Sequence, residues 1–138
     1  MAIAQDLSPG SFIKKEGTKV NSIALETLNN IDGYFGSCLV ESQSGKVLKV
    51  NGGNPENLAV VGKGNSAVLR AERDMMEFLE IDGELEDILI TLGGQYHILR
   101  PLTKNGDFFI NVILDRIKAN LAMARLEIKS FEESIILD

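Results

Sequence analysis

A single long helical segment is the feature of this sequence that most constrains the fold. Gly52-Gly53 interrupts the chain before it, Asn54 is a good N-cap, and Pro55 suits the first helical position. Helical spacing of apolar residues then continues to about Glu80, and Asp82-Gly83 follows as a stop signal. This segment is the longest helix that the sequence predicts.

The apolar residues of this helix form two adjoining stripes when they are placed at 100° per residue. The larger stripe consists of Leu58, Val61, Val68, Leu69, Met75, Met76 and Leu79, and the second consists of Val60, Gly64, Ala67, Ala71 and Phe78. Their combined arc is about twice the roughly 100° that a helix needs to cover its own sheet. We therefore predict that the small-residue stripe packs on the sheet and that the larger stripe contacts a second copy of the chain.

Two polar residues within the larger stripe support this prediction. Asn65 and Glu72 lie among its apolar residues, and an unpaired carboxylate is costly in the core of a monomer. At a twofold interface, Glu72 could instead meet Arg70 or Arg73 of the second copy. The alternative is a monomer in which the N-terminal arm covers the surplus apolar arc.

Two glycines inside the helix indicate a close approach of its backbone to a neighbour. Gly62 and Gly64 each cost about 1 kcal/mol relative to alanine in a helix interior. Gly62-Lys63 also resembles the end of a phosphate-binding loop, but Asn57 stands where the first glycine should be and Gly64 replaces the serine or threonine. Nucleotide binding by this chain is therefore not supported.

Apolar periodicity and turn signals predict the remaining elements. The first helix begins at Thr18, ends at Asp32-Gly33, and carries Val20, Ile23, Ala24, Leu28 and Ile31. Five β-prone runs lie at residues 34–40, 46–50, 87–92, 95–102 and 108–114. The last run is the most hydrophobic, which predicts a strand buried on both faces at the sheet centre. The final helix carries one stripe, formed by Ile117, Leu121, Ala124, Ile128, Phe131 and Ile135.

The order of these elements defines the fold class. It reads α-β-β-α-β-β-β-α, an α+β chain with a five-stranded, mainly antiparallel sheet between helices. We expect an N-terminal arm at residues 1–17, pinned by Phe12 and Ile13, and one domain at residues 18–138. A chain of 138 residues is long enough for one core.

Charge and cysteine content exclude several classes of function. The net charge of -6 and a pI near 4.8 argue against nucleic-acid binding, which needs a basic face. Cys38 is the single cysteine and cannot close an internal disulfide. The chain starts MAIAQDLSPG, without the features of a signal peptide, and contains no apolar run of about 18 residues. We therefore expect a cytoplasmic protein without membrane insertion.

No motif for catalysis, a metal or a cofactor is present in the sequence. His97 lacks a second histidine at ligand spacing, so we interpret it as a structural or surface residue. Cys38 alternates with apolar neighbours and fits a small buried hydrophobe. The acidic run from Glu72 to Asp87 is interpreted as a solvated face, with attraction of a basic partner as the alternative. We expect no enzyme activity and no cofactor.

Several local patterns resemble the roadblock/dynein light chain family across residues 20–131. The matching stretches are Leu28-Asn29-Asn30-Ile31-Asp32-Gly33, Gly45-Lys46-Val47-Leu48, Gly94-Gln95-Tyr96-His97-Ile98-Leu99-Arg100-Pro101-Leu102 and Ala119-Asn120-Leu121-Ala122-Met123-Ala124-Arg125-Leu126. The resemblance implies a roadblock/longin-like domain of profilin-like shape, and a dimer with antiparallel second helices and third strands joined edge to edge. It also implies regulation of a Ras-like GTPase. The polar stretch at residues 62–66 departs from the alanine-rich run usual in the family.

We therefore predict a non-catalytic homodimeric platform that regulates or localises a small GTPase. The predicted dimer interface comprises Leu58, Val61, Asn65, Val68, Leu69, Glu72, Met75, Met76, Ile88 and Ile90. The predicted partner-binding surface comprises Lys63, Ser66, Arg70, Arg73 and Glu77. The alternative function is a small-ligand sensory or signalling module of PAS-like or profilin-like shape.

Overall fold

The computed structural model describes residues 22–137, which form one five-stranded sheet with helices on both faces. A 3₁₀ helix comes first, followed by two strands, a long helix, three strands and a last helix. The elements are the 3₁₀ helix Leu25–Asn30, β1 (Tyr34–Glu41), β2 (Val47–Gly52), α1 (Pro55–Phe78), β3 (Ile88–Thr91), β4 (Gln95–Pro101), β5 (Phe108–Asp115) and α2 (Leu121–Glu133). This order confirms the predicted α+β class.

The sheet is antiparallel throughout, in the spatial order β2-β1-β5-β4-β3. β5 lies at the centre, and every residue from Phe108 to Leu114 is buried. The prediction of a central strand buried on both faces is confirmed. β2 and β3 each pair with one neighbour and therefore form the two edges of the sheet.

The long helix α1 begins as its sequence predicts. The side chain of Asn54 accepts a hydrogen bond from the backbone N–H of Asn57 at 3.0 Å, and Pro55 occupies the first helical position. The helix ends at Phe78, two residues before the predicted end, and Glu80 follows with a positive φ of 54°. Of the two glycines that interrupted the helical pattern, only Gly62 faces the sheet.

Gly62 sets the distance between α1 and the strands beneath it. A Cβ atom built there would lie 2.7 Å from Cγ2 of Val47, 2.9 Å from Cγ2 of Val40 and 3.0 Å from Sγ of Cys38. Real Cβ atoms do not approach other heavy atoms so closely, because interiors are packed to van der Waals contact. The predicted close backbone approach is confirmed at Gly62, whereas Gly64 has open space within its own chain.

The opposite face of the sheet is covered by the 3₁₀ helix and α2. They enclose the larger core cluster, which includes Leu25, Leu28, Ile110, Val112 and Ile128, all at most 1% exposed. A buried ion pair fastens α2 to the sheet: Nε of Arg100 on β4 lies 2.8 Å from Oε1 of Glu132. The second oxygen of Glu132 accepts from the backbone N–H of Thr103 at 2.6 Å. Both carboxylate oxygens are thus satisfied, as a buried charge requires.

The two outer helices of the prediction differ from the structure. Between Ser22 and Gly33, the described part of the predicted first helix contains only the six-residue 3₁₀ helix, and residues 18–21 lie outside the described range. Ile117 was predicted on the buried stripe of the last helix, but it precedes α2 and is almost fully exposed. Its place was misjudged because Asn120, whose side chain accepts from the N–H of Met123, caps the helix three residues later.

Substitution of the two glycines tests the close approach. We expect Gly62→Ala to destabilise the fold by about 1–3 kcal/mol, because overpacking against Val40 and Val47 outweighs the better helix propensity of alanine. Gly64→Ala is the matched control, with an expected gain of up to about 1 kcal/mol. Urea unfolding of both variants measures the difference, and a stabilising Gly62→Ala would contradict the packing described above.

Candidate interaction surface

The α1 helix turns one side to its own sheet, and that side differs from the predicted one. Leu58 and Leu69 are 1% and 0% exposed, whereas Val60 and Phe78 are 73% and 85% exposed. The prediction that the small-residue stripe packs on the sheet is therefore wrong. Leu58 and Leu69, predicted at a dimer interface, belong to the core of their own chain.

The spacing of two small residues explains why the helix turns this side to the sheet. The prediction considered each of them but not their spacing. Gly62 and Ser66 are four residues apart and both buried, so they lie on one face of the helix. Their small size lets the helix backbone approach β1 and β2, and Leu58 and Leu69 then fill the space on either side. Small residues at this spacing between two leucines were the signal in the sequence.

One flank of α1 faces β5 and β4, because Asn65 on this flank bonds to Asn111 of β5 and lies near His97 of β4. Along this flank lie the half-buried residues Val61, Asn65, Glu72 and Met76 and the exposed residues Val68 and Met75. On the sheet below, Ile88 and Ile90 of β3 are also half-buried and pack against the core cluster on the α1 side. We call this flank, together with the face of β3 on the same side of the sheet, the α1–β3 recess. Eight of the ten predicted interface residues belong to it, all except Leu58 and Leu69.

A chain of hydrogen bonds lies at the inner edge of the recess. Nδ2 of Asn65 donates to Oδ1 of the buried Asn111 at 2.7 Å and lies 3.4 Å from Nδ1 of His97. Nε2 of His97 lies 3.0 Å from Oε1 of Gln95. This arrangement suits a neutral imidazole that donates from Nε2 and accepts at Nδ1. Burial lowers the pKa of His97 below its ordinary value and so favours the same neutral form.

The opposite flank of α1 is tied to the turn between β1 and β2. Nη1 of Arg70 donates to the carbonyl oxygen of Ser42 at 2.6 Å and to Oγ of Ser66 at 3.0 Å. Nη1 of Arg73 lies 3.5 Å from Oγ of Ser42. Ser66 is fully buried, so its predicted place on a partner-binding surface is wrong. Lys63 and Glu77, from the same predicted set, are exposed.

The outward side of α1 is an apolar surface that no element among residues 22–137 covers. It carries the exposed residues Val60, Gly64, Ala67, Ala71 and Phe78, which recur at helical spacing. We call it the outer α1 face. The sequence showed that α1 carries more apolar residues than its own sheet can cover. It did not show that the stripe with the small residues would be the one left exposed.

Cys38 and His97, the two residues considered for chemistry in the sequence, are both buried. Cys38 is buried, and burial raises the pKa of its thiol to about 12, so the reactive thiolate does not form at neutral pH. Within residues 22–137 no cluster of potential ligand side chains suits a metal ion. None of the helices in that range combines the length and the apolar character needed to cross a membrane.

The arrangement of strands and helices is shared with solved structures. A Roadblock/LC7 domain from Streptomyces avermitilis matches with a TM-score of 0.68 and 16% identity, over 78% of this chain and 87% of that one. MglB from Myxococcus xanthus matches with a TM-score of 0.70 and 14% identity, over 96% of this chain and 90% of that one. The gliding protein MglB from Thermus thermophilus matches with a TM-score of 0.67 and 14% identity, over 88% of this chain and 87% of that one. No family model and no curated protein matches the sequence.

These matches show the structural class of the molecule. It is an α+β protein with an antiparallel five-stranded sheet between helices. More particularly, the chain has the roadblock fold, as the resemblance in its sequence implied.

The lowered pKa of His97 predicts how the stability of the fold changes with pH. Because the folded pKa is lowered from 6.5, the unfolded chain binds the proton more tightly than the folded chain. The stabilising contribution of neutral His97 is therefore complete above pH 6.5 and declines as the pH falls through the folded pKa.

We expect the His97 contribution to the free energy of unfolding to decrease between pH 7.5 and pH 5 in the parent chain, because the unfolded chain takes up a proton at this residue more readily than the folded chain. His97→Gln removes the titrating group and retains hydrogen-bonding capacity, so its curve should be flatter over this range. Urea titrations at a series of pH values measure both slopes. Parallel slopes in the two proteins would count against a neutral buried His97.

Proposed function

We propose that this chain acts as a non-catalytic homodimer that regulates or localises a small Ras-like GTPase in the cytoplasm. The observation that carries the proposal is the outer α1 face, an uncovered apolar surface on a long helix that is well anchored on its other side. Contiguous apolar surface on a water-soluble domain usually marks an interface. The α1–β3 recess is a second such surface, and the two have different shapes.

The recess suits a second copy of the same chain. β3 pairs only with β4 among the described strands, and an unpaired apolar strand edge invites pairing with another strand. A twofold axis beside β3 would place the recess of each copy against the α1 flank of the other, because an isologous interface uses the same patch twice. Val68 and Met75 are exposed and project from this flank, so they would become buried in such a dimer.

The outer α1 face suits the partner protein. It points away from the sheet and therefore stays accessible when the flank of α1 is buried in a dimer. Its alanines and Gly64 keep the surface shallow, while Val60 and Phe78 stand at its two ends as large apolar anchors. Lys63 and Glu77 lie exposed beside it and offer charges of both signs at the border, where polar residues usually surround an interface core.

The GTPase is proposed as the partner because of the family resemblance. Bacterial and archaeal members of the roadblock/dynein light chain family typically regulate Ras-like GTPases. The matching fold supports this proposal.

A substitution on the flank of α1 tests the dimer. Val68→Glu places a carboxylate in the proposed interface but outside the chain's own core, since Val68 is 40% exposed. We expect the parent chain to have twice the chain mass of 15.1 kDa and the variant to shift to the single mass, measured by light scattering. Met123→Glu, on the exposed side of α2, is the control and should remain a dimer. A parent chain that is monomeric at micromolar concentration would refute the dimer.

A substitution on the outer α1 face tests the partner. We expect the parent protein to bind a candidate GTPase differently in its GTP-loaded and GDP-loaded forms in a pull-down assay. Ala71→Glu should weaken that binding by about ten-fold or more, as expected when a charge enters an interface core, and should leave the dimer intact. Leu126→Glu on α2 is the control. Equal indifference to all loaded GTPases would refute the proposal, and a co-purifying small molecule would favour the sensory alternative.

A further inference from the structure

Two adjoining clefts form a groove beside the C-terminal end of α1. Their volumes are about 250 and 240 Å³, and they share Arg73, Glu84 and Leu85. Apolar side chains of Met76, Ile81 and Leu85 line it, and the carboxylates of Glu77, Glu84 and Glu86 stand around it. We call this the acidic groove. It adjoins the α1–β3 recess, with which it shares Met76, and it shares Glu77 with the border of the outer α1 face.

The groove carries an excess of negative charge. Four carboxylates line it, since Glu133 joins the three already named, and three cations do so: Arg73, Arg100 and Lys129. Arg100 already pairs with the buried Glu132 at 2.8 Å and lies 3.7 Å from Oε2 of Glu133. The remaining lining has two cations, Arg73 and Lys129, and three carboxylates, Glu77, Glu84 and Glu86. The exposed residues Glu80 and Asp82 lie in the same loop and add to the negative field. A ligand with apolar anchors and positive charges therefore complements it.

The chain itself contains such a segment, and it connects near the groove. Residues 11–19 read Ser-Phe-Ile-Lys-Lys-Glu-Gly-Thr-Lys, two large apolar residues followed by three lysines and one glutamate. Ser22, the first described residue, lines a cleft with Ser134 and Ile135, immediately after the end of α2. Glu133 and Thr103 line the acidic groove on the other side of that helix end. The two clefts thus flank the C-terminal end of α2.

The connection is long enough. A helix with its side chains is about 10–12 Å wide, and the seven residues from Ser22 back to Lys15 span at most about 25 Å when extended. Lys14 and Lys15 can therefore reach the carboxylates around the groove without any change in the described fold.

We propose that residues 11–19 dock in the acidic groove of their own chain. Phe12 and Ile13 occupy the apolar lining beside Met76 and Ile81, and Lys14 and Lys15 pair with Glu84 and Glu86. This inference does not depend on the dimer or on the GTPase.

A spin label on the full chain tests the docking directly. Ser11→Cys provides a label site beside Phe12, and Cys38 does not compete because it is buried, with a thiol pKa raised to about 12. We expect the nitroxide to broaden the amide NMR signals of residues 81–86 and 102–106. Broadening confined to the other side of α2, around Thr27 and Ser130, would overturn the proposal, and so would the absence of localised broadening.

Charge reversal shows whether the contact is the proposed one. One exposed ion pair changes the equilibrium between the docked and the free segment by up to about five-fold. Reversal of both Lys14 and Lys15 to glutamate removes two such pairs and adds repulsion, so it should weaken docking by roughly ten-fold or more. Adding Glu84→Lys and Glu86→Lys to that variant should restore the broadening. The matched control is Glu26→Lys with Glu127→Lys, two exposed carboxylates elsewhere, which should not restore it. Restoration by the control pair, or broadening unchanged by reversal, would disprove pairing at the groove.

Discussion

The close contact between the backbone of α1 and strands β1 and β2 determines the rest of the α1 side of this molecule. Gly62 has no room for a side chain between Val40, Val47 and Cys38. Because the helix is fixed at this point, Leu58 and Leu69 are forced into the core, and the rotation of the helix about its axis is set. The flank with Val68 and the outer face with Val60 are exposed as a consequence. The candidate surfaces are thus produced by a packing constraint inside the chain.

The sequence predicted the fold well because local signals and tertiary context agreed. Asn54 and Pro55 marked the start of α1, and the uninterrupted apolar run at residues 108–114 marked the central strand. The first helix was less accurate, because Leu25 and Leu28 recur at a spacing that suits a 3₁₀ turn packed on the sheet as well as an α-helix. Periodicity alone does not separate the two over so few residues.

The candidate site was predicted only in part. The sequence showed that α1 has more apolar surface than one sheet can cover, and the structure agrees. It did not show which stripe the sheet takes, since that choice depends on which small residues face β1 and β2. Ser66 and Arg70 are predicted on a partner surface, yet in the structure Arg70 bonds to Ser66 and to the turn at Ser42. Polarity indicates exposure only when a side chain has no acceptor or donor nearby in the fold.

The buried pair of Arg100 and Glu132 makes the α2 side of the sheet different from the α1 side, because it joins α2 directly to β4. Separation of α2 from the sheet would leave Arg100 and Glu132 as buried charges without partners, which is costly. The pair therefore holds α2 firmly on its face of the sheet. Among residues 22–137 no ion pair lies along the flank of α1 that faces β3. A molecule that bound to this flank would therefore not have to break such a pair, and α2 would keep its place on the opposite face of the sheet.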